Sequence, residues 1–211
     1  MPLRGLRWLL VTLAAGLALA APLRAASGPP VLLVLGDSIS AGYGLAAGQG
    51  WVTLLTAQLK TEGYPYKVVN GSISGDTTAG GRARLPDFLA QWKPEIVVLE
   101  LGGNDALRGG NLAAMRANLE AMVAAAQSAK AKVLLVGMQI PPNYGPAYVR
   151  EFEAIFRDVA KAKHVPVVPA FFAGFGEDLA LFQPDRIHPT AEAQPRLLAN
   201  VWPTLQPLLR R

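Results

Sequence analysis

Apolar positions in this chain follow two rhythms that alternate along its length. Five short segments read as strands: Val31 to Leu35, Tyr66 to Asn70, Glu95 to Leu101, Lys132 to Met138 and Val165 to Pro169. The first is five apolar residues running straight into Gly36-Asp37-Ser38. An unbroken apolar run of that length, bounded by a turn signal, reads as a strand buried on both faces of a parallel sheet. Between these segments the apolar residues fall at helical spacing. Trp51, Leu54, Leu55 and Leu59 predict a helix to Thr61, which Gly63-Tyr64-Pro65 breaks. A second helix starts at a Thr77 or Thr78 cap and runs to Trp92 before Lys93-Pro94. An alanine-rich helix covers Asn111 to Ala129 with Asn111 as N-cap, another covers Ala147 to Ala162, and a last one runs from a Thr190 cap towards Trp202. Strand-helix alternation throughout predicts one α/β domain, a parallel sheet with helices on both faces. Pro166 suits an edge strand.

The first 25 residues break this pattern. Arg4 and Arg7 precede an apolar stretch from Trp8 to Ala21 with no acid in it. About 14 apolar residues is the length of a signal-peptide core and short for a membrane span. Small residues follow, and cleavage after Ala20 or Ala25 both fit, with Ala25 favoured because it lies closer to the fold. An uncleaved anchor is the alternative. The expected organisation is a signal peptide over 1–25, a linker over 26–30 and one domain over 31–211. No later stretch reaches membrane-spanning length, so the mature protein is expected to be periplasmic or secreted, without a stable membrane anchor.

Composition narrows the chemistry. The chain has 211 residues, 51% of them hydrophobic, and no cysteine. That is enough for one sizeable core, and it excludes disulfides, thiolate catalysis and a lipid-modified cysteine. The net charge is +5, but Arg4, Arg7 and Arg24 carry three of those charges and leave with the signal peptide. No basic cluster interleaved with aromatics follows, so nucleic acid is not an expected partner. Arg210-Arg211 reads as a solvated helix end.

Three strand ends carry polar, glycine-containing loops: Gly36-Asp37-Ser38, Gly75-Asp76 and Gly102-Gly103-Asn104-Asp105. In a parallel sheet they emerge on one edge, where α/β proteins bind ligands. A serine becomes a nucleophile only with a base in reach, and the chain has two histidines. His164 sits at a helix end before the last strand, on the opposite edge, where favourable charge at a helix C-terminus accounts for it. His188 remains, and Asp185 precedes it by three residues, so one turn brings a carboxylate to the imidazole. Alone, Asp-x-x-His is more often a turn pair; with Ser38 it reads as a triad. Asn104 offers a side-chain amide, and Gly75 and Ser38 offer backbone N–H groups, as oxyanion donors. Taken singly, Gly75 is a turn residue and Asn104 a loop residue. Ser40 stands where a nucleophile elbow needs its second glycine. No phosphate-binding glycine motif is present, and one free histidine is too few for a metal site.

Taken together, Gly36-Asp37-Ser38-Ile39-Ser40, Gly75, Gly102-Gly103-Asn104-Asp105 and Asp185-x-x-His188 resemble the four sequence blocks of the SGNH (GDSL) hydrolases. Asn70 to Thr77, Arg82 to Pro86, Leu99 to Asp105 and Ile140 to Gly145 resemble the bacterial periplasmic branch of acyl-CoA thioesterases, lysophospholipases and arylesterases. The likeness spans Val31 to Leu209. It implies a three-layer α/β/α flavodoxin-like fold with a five-stranded parallel sheet, and a monomer. It implies Ser38 as nucleophile, His188 as base, Asp185 as its partner, and Ser38, Gly75 and Asn104 as the oxyanion hole, with no cofactor and no metal. Asp105, Ala106, Leu107, Arg108, Gly109, Gly110 and Asn111 resemble the branch's mobile loop over the substrate. Leu45 and the Pro141-Pro142 turn read either as acyl-pocket walls or as ordinary loop packing. Arg186 departs from the glycine usual in the family and adds a charge at the site rim.

The expected function is an exported serine esterase that cleaves small acyl esters and thioesters through an acyl-enzyme. A carbohydrate O-acetylesterase on the same scaffold and a non-catalytic protein that kept the fold are the alternatives.

Overall fold

The structure, a computed structural model, describes residues 28–211. The expected signal peptide, residues 1–25, lies outside the described residues. The five strands are β1 (Val31–Gly36), β2 (Lys67–Asn70), β3 (Ile96–Glu100), β4 (Lys132–Val136) and β5 (Val167–Val168). They form one all-parallel sheet in the order β2-β1-β3-β4-β5. Leu33 pairs with Val69 on one side and Val97 on the other. The apolar runs are buried as their composition requires: Leu32 to Leu35 and Ile96 to Leu99 have no exposed surface.

Among the described residues seven α-helices pack around the sheet: α1 (Ser38–Ala41), α2 (Trp51–Thr61), α3 (Thr78–Trp92), α4 (Gly103–Leu107), α5 (Leu112–Ser128), α6 (Pro146–Lys163) and α7 (Gln194–Leu205). α2 packs on α7, while α3 packs on α5 and α5 on α6, giving a helical layer on each face. After β2 the chain crosses back over β1 to β3, so the winding reverses between β1 and β3. The crevice outside the carboxyl ends of such a reversal is where open α/β sheets bind ligands. The predicted three-layer α/β/α architecture is therefore present.

Several local expectations need correction. β2 and β3 are shorter than their apolar segments, and β5 is two residues at the edge, after Pro166. Thr77 caps α3 by accepting the Gly80 N–H, and Asn111 caps α5 by accepting the Ala114 N–H. Thr190 does not cap the last helix: its hydroxyl oxygen is buried without a partner among the described residues. Instead a 3-10 turn over Ala191–Ala193 precedes α7, whose first turn holds Pro195, a residue that loses nothing there by lacking an N–H. Arg210 is not simply solvated. Its Nε donates to Glu95 at 2.7 Å, and Glu95 also accepts the Tyr66 hydroxyl at 2.6 Å.

Candidate active site

β1 delivers the serine. Gly36 ends the strand where a Cβ would lie 2.5 Å from Glu100 Oε2 and 2.8 Å from Ser40 Oγ, so the close approach of β3 requires glycine there. Asp37 then caps α1 by accepting the Ile39 N–H at 3.0 Å. Ser38 is thereby the first residue of one helical turn, which Gly42 closes in the left-handed conformation.

The segment after Phe182 folds back to this edge. Phe182 bridges Pro189, and Gln183 N–H donates to His188 O at 2.7 Å. His188 Nε2 is 2.8 Å from Ser38 Oγ, and its Nδ1 is 2.7 Å from Asp185 Oδ2. Asp185 Oδ1 accepts the N–H groups of Ile187 and His188 at 2.9 and 3.0 Å. Partial burial pushes the Asp185 carboxyl up, but those two backbone donors and the imidazole outweigh it and hold it below the usual carboxylate range. The Tyr43 ring lies over the imidazole with centroids 4.5 Å apart. Arg186 takes a left-handed conformation, with φ of 61°, and leaves the Ser-His-Asp contacts intact. His164 is at the other end of the molecule's strands, as the left-handed cap of α6.

The other two loops converge on the same place. After β2 the chain keeps bonding to β1, through Gly71 N–H to Val34 O and Ile73 N–H to Gly36 O. Gly75 follows with φ of 79°, a conformation that disfavours any side chain. Its carbonyl accepts from Arg108 Nη2 at 2.9 Å. Asn104, in α4 after β3, donates its Nδ2 to Asp37 Oδ2 at 3.2 Å. The Ser38 and Gly75 N–H groups have no acceptor among the described residues. Asp105 ties the β3 loop to α3 by accepting both the Thr78 N–H at 2.8 Å and its hydroxyl at 2.5 Å.

The segment from Asp105 to Asn111 is not simply a loop. Its first residues belong to α4, and Ala106 is fully buried, so it faces the core and not a substrate. The Asp105 carboxylate is committed to Thr78 and the Asn111 side chain to its cap. Arg108 and Gly109 are exposed, with Leu107 and Gly110 half-buried. Two stacked tyrosines hold this stretch down: Tyr144 donates to Leu107 O at 2.9 Å, and Tyr148 to Gly110 O at 3.0 Å. Pro141 and Pro142 are exposed in the turn that carries Tyr144. Leu45 lines a narrow crevice with Ser38, Ile39, Tyr43 and His188.

One part of the site was not foreseen. Glu100, at the end of β3, is completely buried. Its Oε2 accepts the Ser40 hydroxyl at 2.5 Å and lies 3.4 Å from the Asp37 N–H, while Oε1 has no partner among the described residues. Burial, and then the charge of Asp37, push Glu100 well above the usual carboxylate range. Burial also pushes Asp37 up to about 7, with Asp76 and Asp105 adding to it and the Ile39 and Asn104 donors opposing. The signal was available: Glu100 is the one acid inside an otherwise apolar strand, Ile96-Val-Val-Leu-Glu100-Leu101.

A serine, histidine and aspartate in hydrogen-bonded sequence at the carboxyl edge of a doubly wound parallel sheet define an α/β protein of the serine-hydrolase type. The model of the GDSL-like lipase/acylhydrolase family matches residues 34–195, and the chain belongs to that family. It is 56% identical over 178 residues to the esterase TesA of Pseudomonas aeruginosa, covering 84% of this chain and 89% of that one. The crystal structure of TesA superimposes with a TM-score of 0.83, covering 85% of this chain and 99% of TesA. The thioesterase 1/protease 1/lysophospholipase L1 of Escherichia coli K12 is 40% identical, with 87% of each chain covered. An arylesterase of Vibrio mimicus is 41% identical, with 78% of this chain and 82% of that one covered.

Proposed function

We propose that this protein is an exported serine esterase that hydrolyses carboxylic esters and thioesters through an acyl-enzyme on Ser38. The observation that carries the reading is the continuous relay from Ser38 Oγ through His188 to Asp185, with contacts of 2.8 and 2.7 Å. Esterase, arylesterase and thioesterase relatives that match most of the chain support the substrate class. The basic, apolar and small-residue order of residues 1–25 supports export, with cleavage after Ala25.

His188 Nε2 takes the Ser38 proton as Oγ attacks the acyl carbon. Asp185 accepts the Nδ1–H, which fixes the tautomer and stabilises the imidazolium that forms. Negative charge moves to the former carbonyl oxygen, and the N–H groups of Ser38 and Gly75 with Asn104 Nδ2 receive it. Collapse expels the alcohol, protonated by His188, or the thiol, and leaves Ser38 acylated. Water then attacks the acyl carbon, giving its proton to His188, and the acid departs as Ser38 recovers the proton.

Turnover of short-chain p-nitrophenyl esters tests this. Ser38→Ala and His188→Ala are each expected to lower kcat at least about 10⁴-fold, while His164→Ala keeps most activity. Hydrolysis surviving in Ser38→Ala contradicts the mechanism. A chain-length series of matched esters and thioesters then defines the acyl preference.

A further inference from the structure

An oxyanion donor on a side-chain amide has a problem that a backbone N–H does not. The two ends of an asparagine amide are nearly the same size, and only the NH₂ end donates. Turned by half a rotation, Asn104 would aim a carbonyl at the developing oxyanion and repel it. Something must fix which end faces the substrate, and the second hydrogen of that NH₂ is the available handle.

Asp37 holds it. Both of its carboxylate oxygens accept: Oδ1 from Ile39 N–H at 3.0 Å and Oδ2 from Asn104 Nδ2 at 3.2 Å. Ionised, as it is above about 7, Asp37 is an acceptor-only partner and admits only the NH₂ end of Asn104. Asp37 is itself immobile, being 2% exposed, with its own N–H turned to Glu100. The loops meet closely here, since a Cβ on Gly103 would lie 3.4 Å from Asp37 Oδ2. Asp37 also adjoins Ser38 in the chain, so one residue sets the nucleophile's helical turn and the orientation of the amide across the crevice.

We propose that Asp37 is a positioning residue for the reaction: it fixes the donor end of Asn104 towards the oxyanion, as Asp185 fixes the tautomer of His188. The proposal rests on the reading of Asn104 as an oxyanion donor. Its effect is orientation and not added donor strength, because an N–H group beside a bound carboxylate is no better a donor for it. Asp37→Asn keeps the shape and breaks the logic. Whichever way the new amide turns, an NH₂ group faces either the Ile39 N–H or the Asn104 NH₂, and the second conflict is relieved only by reversing Asn104.

A double-mutant cycle on a p-nitrophenyl ester tests this, with wild type, Asp37→Asn, Asn104→Ala and the double variant, each normalised to the serines titrated to completion by a fluorophosphonate. Asp37→Asn and Asn104→Ala are each expected to lower kcat about 100-fold with KM within about three-fold. The double variant is expected to lie within about three-fold of Asn104→Ala, because Asp37 acts through Asn104. A double variant slower by the product of the two single losses, about 10⁴-fold, overturns the proposal and leaves the oxyanion reading standing. Full kcat in Asn104→Ala overturns the oxyanion reading and the proposal with it. If Asp37→Asn melts below the assay temperature, the same cycle is run with Asp37→Ser, whose hydroxyl can still cap Ile39 N–H but is too short to reach Asn104.

Discussion

At the residue scale the site is built from acids in opposite electrostatic situations. Asp185 is stabilised as an anion by two backbone N–H groups and an imidazole, so its carboxyl lies below its unfolded value. A depressed carboxyl stabilises the fold above the unfolded value and loses that contribution only as pH falls through the folded one. Asp185 therefore keeps its charge across the neutral range. Arg186 occupies the left-handed position in that turn, which costs a non-glycine residue about 1 kcal/mol. Glycine there relieves the strain but loses a similar amount to backbone entropy, about 0.5–1 kcal/mol. Arg186→Gly is expected to leave the urea midpoint nearly unchanged. Arg186→Val, β-branched in a left-handed conformation, is expected to cost at least about 1 kcal/mol. Equal midpoints for the two variants would show that the conformation carries no strain. The grouping of Ser38, His188 and Asp185 was legible in the sequence because two histidines leave little choice. Glu100 is harder to read there, because a single acid does not change the period of an apolar run.

At the scale of elements, the loops after β1, β2 and β3 are joined by side chains to one another: Asn104 to Asp37, Asp105 to Thr78, and Arg108 to the Gly75 carbonyl. The strands and longer helices were legible from periodicity, since buried parallel strands have no polar alternation and surface helices repeat every three to four residues. The one-turn helices α1 and α4 were not, because four or five residues carry no period. The Thr190 cap failed because Pro195 sets where the helix can start, a constraint five residues beyond Thr190. The tyrosine pair over residues 107–110 depends on contacts distant in sequence, which no local pattern encodes. Removing the hydroxyl in Tyr148→Phe leaves the Gly110 carbonyl to water and is expected to cost about 1 kcal/mol. Amide exchange at Gly109 and Gly110 should accelerate while exchange in β1 and β3 is unchanged. Exchange at those glycines as slow as in wild type would mean that the hydroxyl does not restrain the segment.

At the scale of the whole molecule, the topological reversal between β1 and β3 explains both where the site is and what it costs. It brings Ser38 and Asn104 together from adjacent strands, and it also brings Asp37 and Glu100 into the same buried space. Both carboxyls are raised above their unfolded values, so the folded state binds more protons than the unfolded one over that interval. Stability should therefore fall as pH rises from about 4 towards about 7, opposite in sign to the Asp185 contribution. Glu100→Gln carries the neutral form permanently, and its amide oxygen can accept from Ser40 as Oε2 does. Denaturation measured from pH 4 to 8 is expected to show a shallower decline in this variant than in wild type, and greater stability at pH 8. Parallel curves would mean that Glu100 titrates alike in the folded and unfolded states and is not raised by burial.

The central claim is that Ser38, activated by His188, is the nucleophile. Mass spectrometry after incubation with a fluorophosphonate tests it most directly. The account predicts one adduct per chain, on the peptide containing Ser38, none in Ser38→Ala, and labelling at least about 10³-fold slower in His188→Ala. Esterase activity that persists while Ser38 stays unmodified by the probe would contradict it.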